Sequence, residues 1–207
     1  MQGGLSMFKR VLIPSIYLFA TTGAWADARS DCAQWQTLEA DRLIVACSEV
    51  IGGERGVGWA YSNRGIGFYN KADYTRAIAD YTSAINLGAK ANRYDNRGLA
   101  YHKVHDYDRA IADYTMALKI DPRFAASYFN RALAYRDGKN DHNRAIADFS
   151  KVIDLEPRDV GAYVARGNTW ERMGNQQKAI ADFKQALSIE PTHQGAKTKL
   201  QQLGGAQ

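Results

Sequence analysis

A six-residue segment that recurs four times constrains the fold of this chain more than any other feature. The first copy reads Arg-Ala-Ile-Ala-Asp-Tyr at residues 76–81, and the isoleucines of successive copies stand 33, 35 and 34 residues apart. A period near 34 residues is typical of helix–turn–helix units that stack side by side and bury their apolar faces against one another. Such arrays present surfaces to partners and seldom carry out chemistry. The copies begin at Arg76, Arg109, Arg144 and Lys178.

Each repeat contains two apolar patterns at helical spacing, separated by a polar turn. The first helix carries an aromatic residue, a small residue four positions later and a second aromatic residue seven positions after the first. Glycine inside a helix costs roughly 1 kcal/mol relative to alanine. Its recurrence at one register therefore predicts a close approach by the second helix. The positions are filled by Tyr61, Gly65 and Phe68; Tyr94, Gly98 and Tyr101; Tyr128, Ala132 and Tyr135; and Tyr163, Gly167 and Trp170.

The second helix continues the pattern with an alanine and, four residues later, an aromatic side chain on the same face. Asp73, Asp106 and Asn175 precede these helices, where an N-cap side chain can accept an unpaired backbone N–H. The whole pattern resembles the tetratricopeptide repeat, strongly over residues 58–191. The resemblance implies an all-α, right-handed superhelical solenoid. We expect a degenerate helical repeat at 27–57, four repeats at 58–90, 91–124, 125–159 and 160–194, and a capping helix at 192–203.

A row of arginines departs from the family pattern, because the family usually has leucine at this position. Each arginine is matched by one aspartate in the second helix of its repeat, so we interpret the row as structural ion pairs. An anion-binding row is the alternative. Under the structural interpretation, replacing one arginine by leucine should be tolerated. The pairs join Arg64 to Asp80, Arg97 to Asp113, Arg131 to Asp148 and Arg166 to Asp182.

The first 26 residues have the pattern of a secretory signal peptide. A short basic region precedes a mostly apolar stretch from Val11 to Ala20, and Ala24-Trp25-Ala26 supplies small residues at the cleavage positions. The apolar stretch is shorter than the roughly 20 residues that a spanning helix needs, although an uncleaved anchor is the alternative. We therefore expect export to the periplasm or the outside of the cell, a mature chain that begins at Asp27, and no stable membrane insertion after cleavage.

The chain has two cysteines, Cys32 and Cys47, which stand 15 residues apart. In an oxidising compartment such a pair is expected to form a disulfide bond. Two buried free thiols would be the expectation for a cytosolic protein.

No constellation of residues indicates catalysis or a bound metal. The sequence shows no phosphate loop, dinucleotide fingerprint or nucleophile–base pair. His102 and His105 lie near each other without further ligands, so no metal site is expected, and no cofactor is implied. The formal net charge is +5, with both signs mixed along the chain, which argues against nucleic acid as a partner. We expect a protein that is not an enzyme.

The resemblance implies that the first helices line a concave groove that binds a protein or peptide ligand. We expect a non-catalytic protein–protein interaction scaffold or adaptor of the cell envelope, where the envelope is implied by exported family members. The alternative is a saccharide- or peptidoglycan-binding accessory of an envelope enzyme, in which aromatic rings stack on sugars. The candidate groove residues are Trp59, Asn63, Tyr69, Asn96, Leu99, His102, Phe129, Asn130, Leu133 and Arg136.

Overall fold

The computed structural model describes residues 19–204, with side chains from residue 26 onward, and the regular structure of this part is entirely α-helical. None of the described helices combines the length and the apolar character that crossing a membrane requires. The helices are α1 (Phe19–Ala33), α2 (Ala40–Gly53), α3 (Gly58–Asn70), α4 (Tyr74–Asn86), α5 (Ala91–Lys103), α6 (Tyr107–Ile120), α7 (Ala125–Lys139), α8 (His142–Leu155), α9 (Val160–Arg172), α10 (Gln176–Ile189) and α11 (Gln194–Gln202).

Consecutive helices pack in pairs, and each pair packs on the next. The pairs are α1 with α2, α3 with α4, α5 with α6, α7 with α8, and α9 with α10, while α11 packs on α10. Neighbouring first helices also meet, α1 with α3, α3 with α5, and α5 with α7. This arrangement confirms the predicted all-α solenoid. We call the side formed by α3, α5, α7 and α9 the first-helix face.

The small residue of each first helix lies directly against the aromatic ring of the second helix. A Cβ atom placed on Gly98 would lie only 2.6 Å from Cε1 of Tyr114, a ring that is fully buried. Gly65 stands in the same relation to Tyr81. The close helix approach that the glycines predict is therefore present.

Side-chain caps begin four of the second helices. The predicted caps Asp73, Asp106 and Asn175 each accept a hydrogen bond from the backbone N–H three residues further on, at 3.0–3.2 Å. Asp141 does the same for α8 at 2.9 Å, a cap that was not predicted. Asp141 stands three residues before Arg144, the same spacing as Asp73 to Arg76, although the third repeat has an extra residue in its turn.

A buried arginine closes the end of α4, where the later repeats have a proline and this one has Ala89. Arg93 is only 6% exposed, and its Nη1 donates to the carbonyl oxygens of Ala84 and Gly88 at 2.6 Å each. Burial lowers the pKa of the Arg93 guanidinium, which has no carboxylate partner among the described residues. Arg93 therefore satisfies carbonyls that the helix end leaves without an intrahelical donor.

We expect Arg93→Met to lower the free energy of unfolding by about 2 kcal/mol, because hydrogen bonds from a charged donor contribute about 1.5–3 kcal/mol. Urea denaturation measures the change. Arg158→Met, at an exposed arginine, is the matched control and should change stability by less than about 0.5 kcal/mol. Equal effects of the two substitutions would contradict the capping role.

The two ends of the stack differ. The predicted signal peptide lies mostly in residues 1–18, outside the described residues, and the predicted cleavage point after Ala26 lies within α1. At the other end, α11 buries Ala196 and Leu200 against α10. Lys199 of α11 forms an ion pair with Glu171 at 2.8 Å.

The predicted disulfide between Cys32 and Cys47 is present and joins α1 to α2. Both cysteines are fully buried, and they pack in one cluster with Leu43, Val50 and Ala60. The disulfide bond thus holds α1 against α2 at the N-terminal end of the stack.

Candidate functional site

A hollow of about 270 Å³ lies on the first-helix face between α3 and α5. We call it the Trp35 hollow, after a residue in the connection between α1 and α2 that the repeat pattern did not predict. Trp35 is 41% exposed. Within the described part of the chain, no charged side chain lines the hollow. Its lining consists of Trp35, Ser62, Asn63, Ile66, Tyr69, Tyr81, Asn92, Asn96 and Leu99.

Tyr81 is the most deeply buried residue that lines the Trp35 hollow, with 2% of its surface exposed. Its hydroxyl makes no side-chain hydrogen bond with any residue of the described range. Burial raises the pKa of the Tyr81 phenol, so the hydroxyl stays protonated at neutral pH. Tyr69, beside it, packs edge-on against Tyr74 with ring centroids 5.4 Å apart. The hollow therefore combines aromatic surface with a neutral hydroxyl.

Two of the three candidate groove asparagines tie neighbouring first helices together. Asn63 donates to the carbonyl oxygen of Cys32 at 2.9 Å, and Asn130 donates to the Asp95 carboxylate at 3.2 Å. Asn96 lines the Trp35 hollow and makes no side-chain hydrogen bond within residues 19–204. The assignment of the three asparagines to a ligand-binding groove stays a prediction.

Asp95 forms the centre of the tie between α5 and α7. It is 5% exposed and also accepts a hydrogen bond from Ser127 Oγ at 2.6 Å. Burial raises the pKa of the Asp95 carboxyl. These contacts assign Asp95 to helix packing.

The candidate groove residues Trp59 and Phe129 are partly exposed and partly covered by packing contacts. Trp59 packs against the buried cluster of α2, and the Arg29 guanidinium lies 5.4 Å from its ring centroid. The ring of Phe129 meets Phe149 edge-on at 5.4 Å. Trp59 is thus partly used in packing on the preceding helix pair, and Phe129 in packing on the second helix of its own pair.

Two other hollows lie further along the first-helix face. The second, of about 320 Å³, includes Phe129 and Asn130 together with the carboxylates of Glu156 and Asp159. The third, of about 560 Å³, is lined by Arg136, Asn168, Glu171, Arg172 and Lys199. Its charges are largely paired, since Arg136 binds Asp137 at 2.7 Å and Lys199 binds Glu171.

The remaining candidates, His102 and Leu133, are half-buried. His102 packs edge-on against Tyr107, its Nε2 has no described hydrogen-bond partner, and burial lowers the pKa of its imidazole. Leu133 packs in the cluster around Phe149. In the part of the chain that the structure describes, no three His, Cys, Asp or Glu side chains come together as metal ligands would.

The arginine row forms the predicted pairs and adds a contact that was not predicted. Arg97 donates from Nε and Nη2 to the two carboxylate oxygens of Asp113, both at 2.8 Å. Its Nη1 donates to Thr82 Oγ1 of the preceding second helix at 3.0 Å. Each arginine thus joins three helices. The row of hydroxyl acceptors is Ser48, Thr82, Thr115 and Ser150.

The first residue of each recurring six-residue segment is basic, and these four side chains form a second row of cations. The sequence pattern alone indicates no role for them. Each cation lies over the second aromatic ring of the first helix, at a distance where cation–π attraction operates. Three of them also form ion pairs with the aspartate caps of their own helices. The contacts are Arg76 on Phe68, Arg109 on Tyr101, Arg144 on Tyr135 and Lys178 on Trp170, at 4.4, 5.4, 4.8 and 4.2 Å.

The stacked helix pairs and the side chains left on the first-helix face define a helical-repeat scaffold of the kind that binds other proteins. Family models described as tetratricopeptide repeat match residues 96–124, 125–159 and 160–193. Residues 96–193 are therefore tetratricopeptide repeats, as their sequence pattern predicts. Among proteins with curated descriptions, none matches it significantly.

Several solved structures share the fold. MamA from Desulfovibrio magneticus RS-1 is 19% identical to this chain, with a TM-score of 0.73. The aligned region covers 83% of this chain and 96% of the MamA chain. YrrB, described as a TPR protein with an unusual peptide-binding site, is 18% identical, with a TM-score of 0.68. The aligned region covers 78% of this chain and 84% of the YrrB chain. The Arabidopsis OM64 TPR domain is 30% identical, with a TM-score of 0.52 and coverage of 55% and 93%. Family and fold support a protein-interaction scaffold.

Proposed function

We propose that this protein is a non-catalytic scaffold or adaptor of the cell envelope that binds a peptide or protein segment along the first-helix face. The Trp35 hollow carries this proposal, because Trp35, Tyr69 and Asn96 in its lining keep aromatic and amide surface that is not buried by the stacking of the helices. Partly exposed aromatic residues in a concave site are common anchors of recognition surfaces. The peptide-binding site in the description of YrrB is consistent with this function.

The location in an exported compartment is part of the same proposal. The signal-peptide pattern of residues 1–26 supports it, and a disulfide between Cys32 and Cys47 suits an oxidising compartment. We expect mass spectrometry of the protein from its native cells to find a chain that begins at Asp27. Intact residues 1–26 in the envelope fraction would contradict cleavage.

Site-specific photo-crosslinking tests the binding face. A photoreactive amino acid at Asn92, on the rim of the Trp35 hollow, should yield adducts with a partner in the native envelope. The same amino acid at Ala112, an exposed position on the second helix α6, is the matched control and should yield far fewer. Adducts from Ala112 alone would move the interface to the other side of the molecule.

A saccharide ligand is the second candidate. Trp35 and Tyr69 offer aromatic surface and Asn96 offers an amide, a combination that suits a sugar ring with its hydroxyls. Isothermal titration with muropeptides distinguishes the candidates. Saturable binding that Trp35→Ala abolishes would favour the saccharide function over peptide binding.

A further inference from the structure

The size of the Trp35 hollow limits what it can hold. Pockets that bury a drug-sized ligand span about 300–1,000 Å³. At about 270 Å³ the hollow is slightly smaller, which suits one large side chain.

The charge of the lining further restricts which side chains the Trp35 hollow can bind. All nine residues around the hollow are neutral, whereas the third hollow of the same face holds two arginines, a lysine and a glutamate. A charged side chain buried without a partner is strongly disfavoured. The Trp35 hollow therefore favours a neutral occupant with a large apolar surface.

The hydroxyl of Tyr81 adds a polar requirement. The equivalent positions in the third and fourth repeats are Phe149 and Phe183, so packing alone does not need a phenol there. In the second repeat the equivalent Tyr114 is fully buried, and its hydroxyl has no described partner. Tyr81 differs because it lines the hollow, where a ligand atom can reach it.

The rim is formed by a segment outside the regular repeats. Trp35 follows Cys32 by three residues, and the disulfide and the hydrogen bond from Asn63 to the Cys32 carbonyl hold this segment beside α3. The connection between α1 and α2 thus places an aromatic ring beside Tyr69 and Leu99.

We propose that the Trp35 hollow binds one aromatic side chain, preferentially tyrosine, of an extended peptide, and that the Tyr81 hydroxyl forms a hydrogen bond with the tip of that side chain. This inference rests on the proposed function, since it assumes a peptide on the first-helix face. Trp35 and Tyr69 supply the aromatic contacts, and the Asn96 amide is placed to bind the peptide backbone.

The first experiment selects twelve-residue random peptides displayed on phage against the full chain. The enriched peptides should share a tyrosine or another aromatic residue. Synthetic versions should lose at least about tenfold in affinity when that residue becomes alanine, and a comparable amount on the Trp35→Ala variant, as measured by fluorescence anisotropy. Circular dichroism melting of Trp35→Ala should match the wild type, since Trp35 is 41% exposed.

The second experiment isolates the hydroxyl. On the wild type, exchanging the peptide tyrosine for phenylalanine should weaken binding about fivefold, the contribution of one neutral hydrogen bond. Tyr81→Phe should abolish that preference. Tyr114→Phe, the same substitution one repeat later, should preserve the preference and leave stability unchanged or higher, because it removes a hydroxyl without a partner.

The outcomes separate the two proposals. Enriched peptides that bind the first-helix face without an aromatic residue, or with affinity indifferent to Trp35→Ala and Tyr81→Phe, would overturn the tyrosine pocket and leave the scaffold function standing. Failure to enrich any peptide, together with binding of muropeptides, would overturn both.

Discussion

Replacing Arg97 by leucine should lower the free energy of unfolding by about 3–5 kcal/mol, the typical effect of removing one partner from a buried ion pair. The expectation of tolerance, drawn from the family's usual leucine, is revised because the structure buries the partner. Asp113 is 5% exposed and would lose both of its hydrogen bonds from the guanidinium. The Thr82 hydroxyl would lose its donor as well. Chemical denaturation followed by circular dichroism measures the loss.

Two control variants distinguish a buried pair from an ordinary surface pair. Adding Asp113→Ala to Arg97→Leu should recover much of the stability, since no carboxylate is then left buried without a partner. Lys151→Leu removes an exposed pair with Asp154 and should cost less than about 1 kcal/mol. A loss in Arg97→Leu no larger than that in Lys151→Leu would show that the row contributes little to stability.

Replacing both Cys32 and Cys47 by alanine should cost about 3 kcal/mol, as the chain-entropy model gives for a loop of about 15 residues. The loss should appear as early melting of α1 and α2, because each unit of a repeat array depends mainly on its neighbours. Hydrogen exchange resolved along the chain would show increased exchange in α2 before it appears in α8.

A reductant provides the control for the disulfide prediction. Reduction of the wild type should reproduce the behaviour of the double variant, which should itself be insensitive to reductant. Thiol labelling of the unfolded, unreduced protein should detect no free cysteine. Two labelled thiols and a melting curve unaffected by reduction would contradict the bond.

Local patterns were sufficient to predict the helices and their packing within each repeat. The contact of Gly98 with Tyr114 and the cap at Asp106 depend on residues close in sequence and repeated in register. The cap at Asp141 was missed, although the spacing of three residues between Asp141 and Arg144 matches that between Asp106 and Arg109. The sequence did contain a signal for the capping role of Arg93. It is a basic residue where the other repeats have small ones, and it follows shortly after Ala89, which stands where the later repeats have proline.

The candidate site was predicted less completely, because it depends on contacts between repeats. Asn63 and Asn130 lie on the first-helix face, but each amide also donates a hydrogen bond to the neighbouring first helix. A single-repeat pattern contains no information about that neighbour. Trp35 lies outside the periodic part of the chain, so no register could place it beside Leu99.

The arginine row also gives the stack a direction of growth. Each arginine donates to a hydroxyl on the preceding second helix as well as to the aspartate of its own repeat. An extra copy inserted within the array would therefore have both the hydroxyl and the aspartate as partners for its arginine. After the fourth repeat this hydrogen bond is lost. Lys184 stands at the hydroxyl position of α10, and Leu200 stands at the arginine position of α11. A further regular repeat placed after α10 would bring its arginine against Lys184, and two cations would meet where a donor needs an acceptor. Leucine on α11 avoids that encounter.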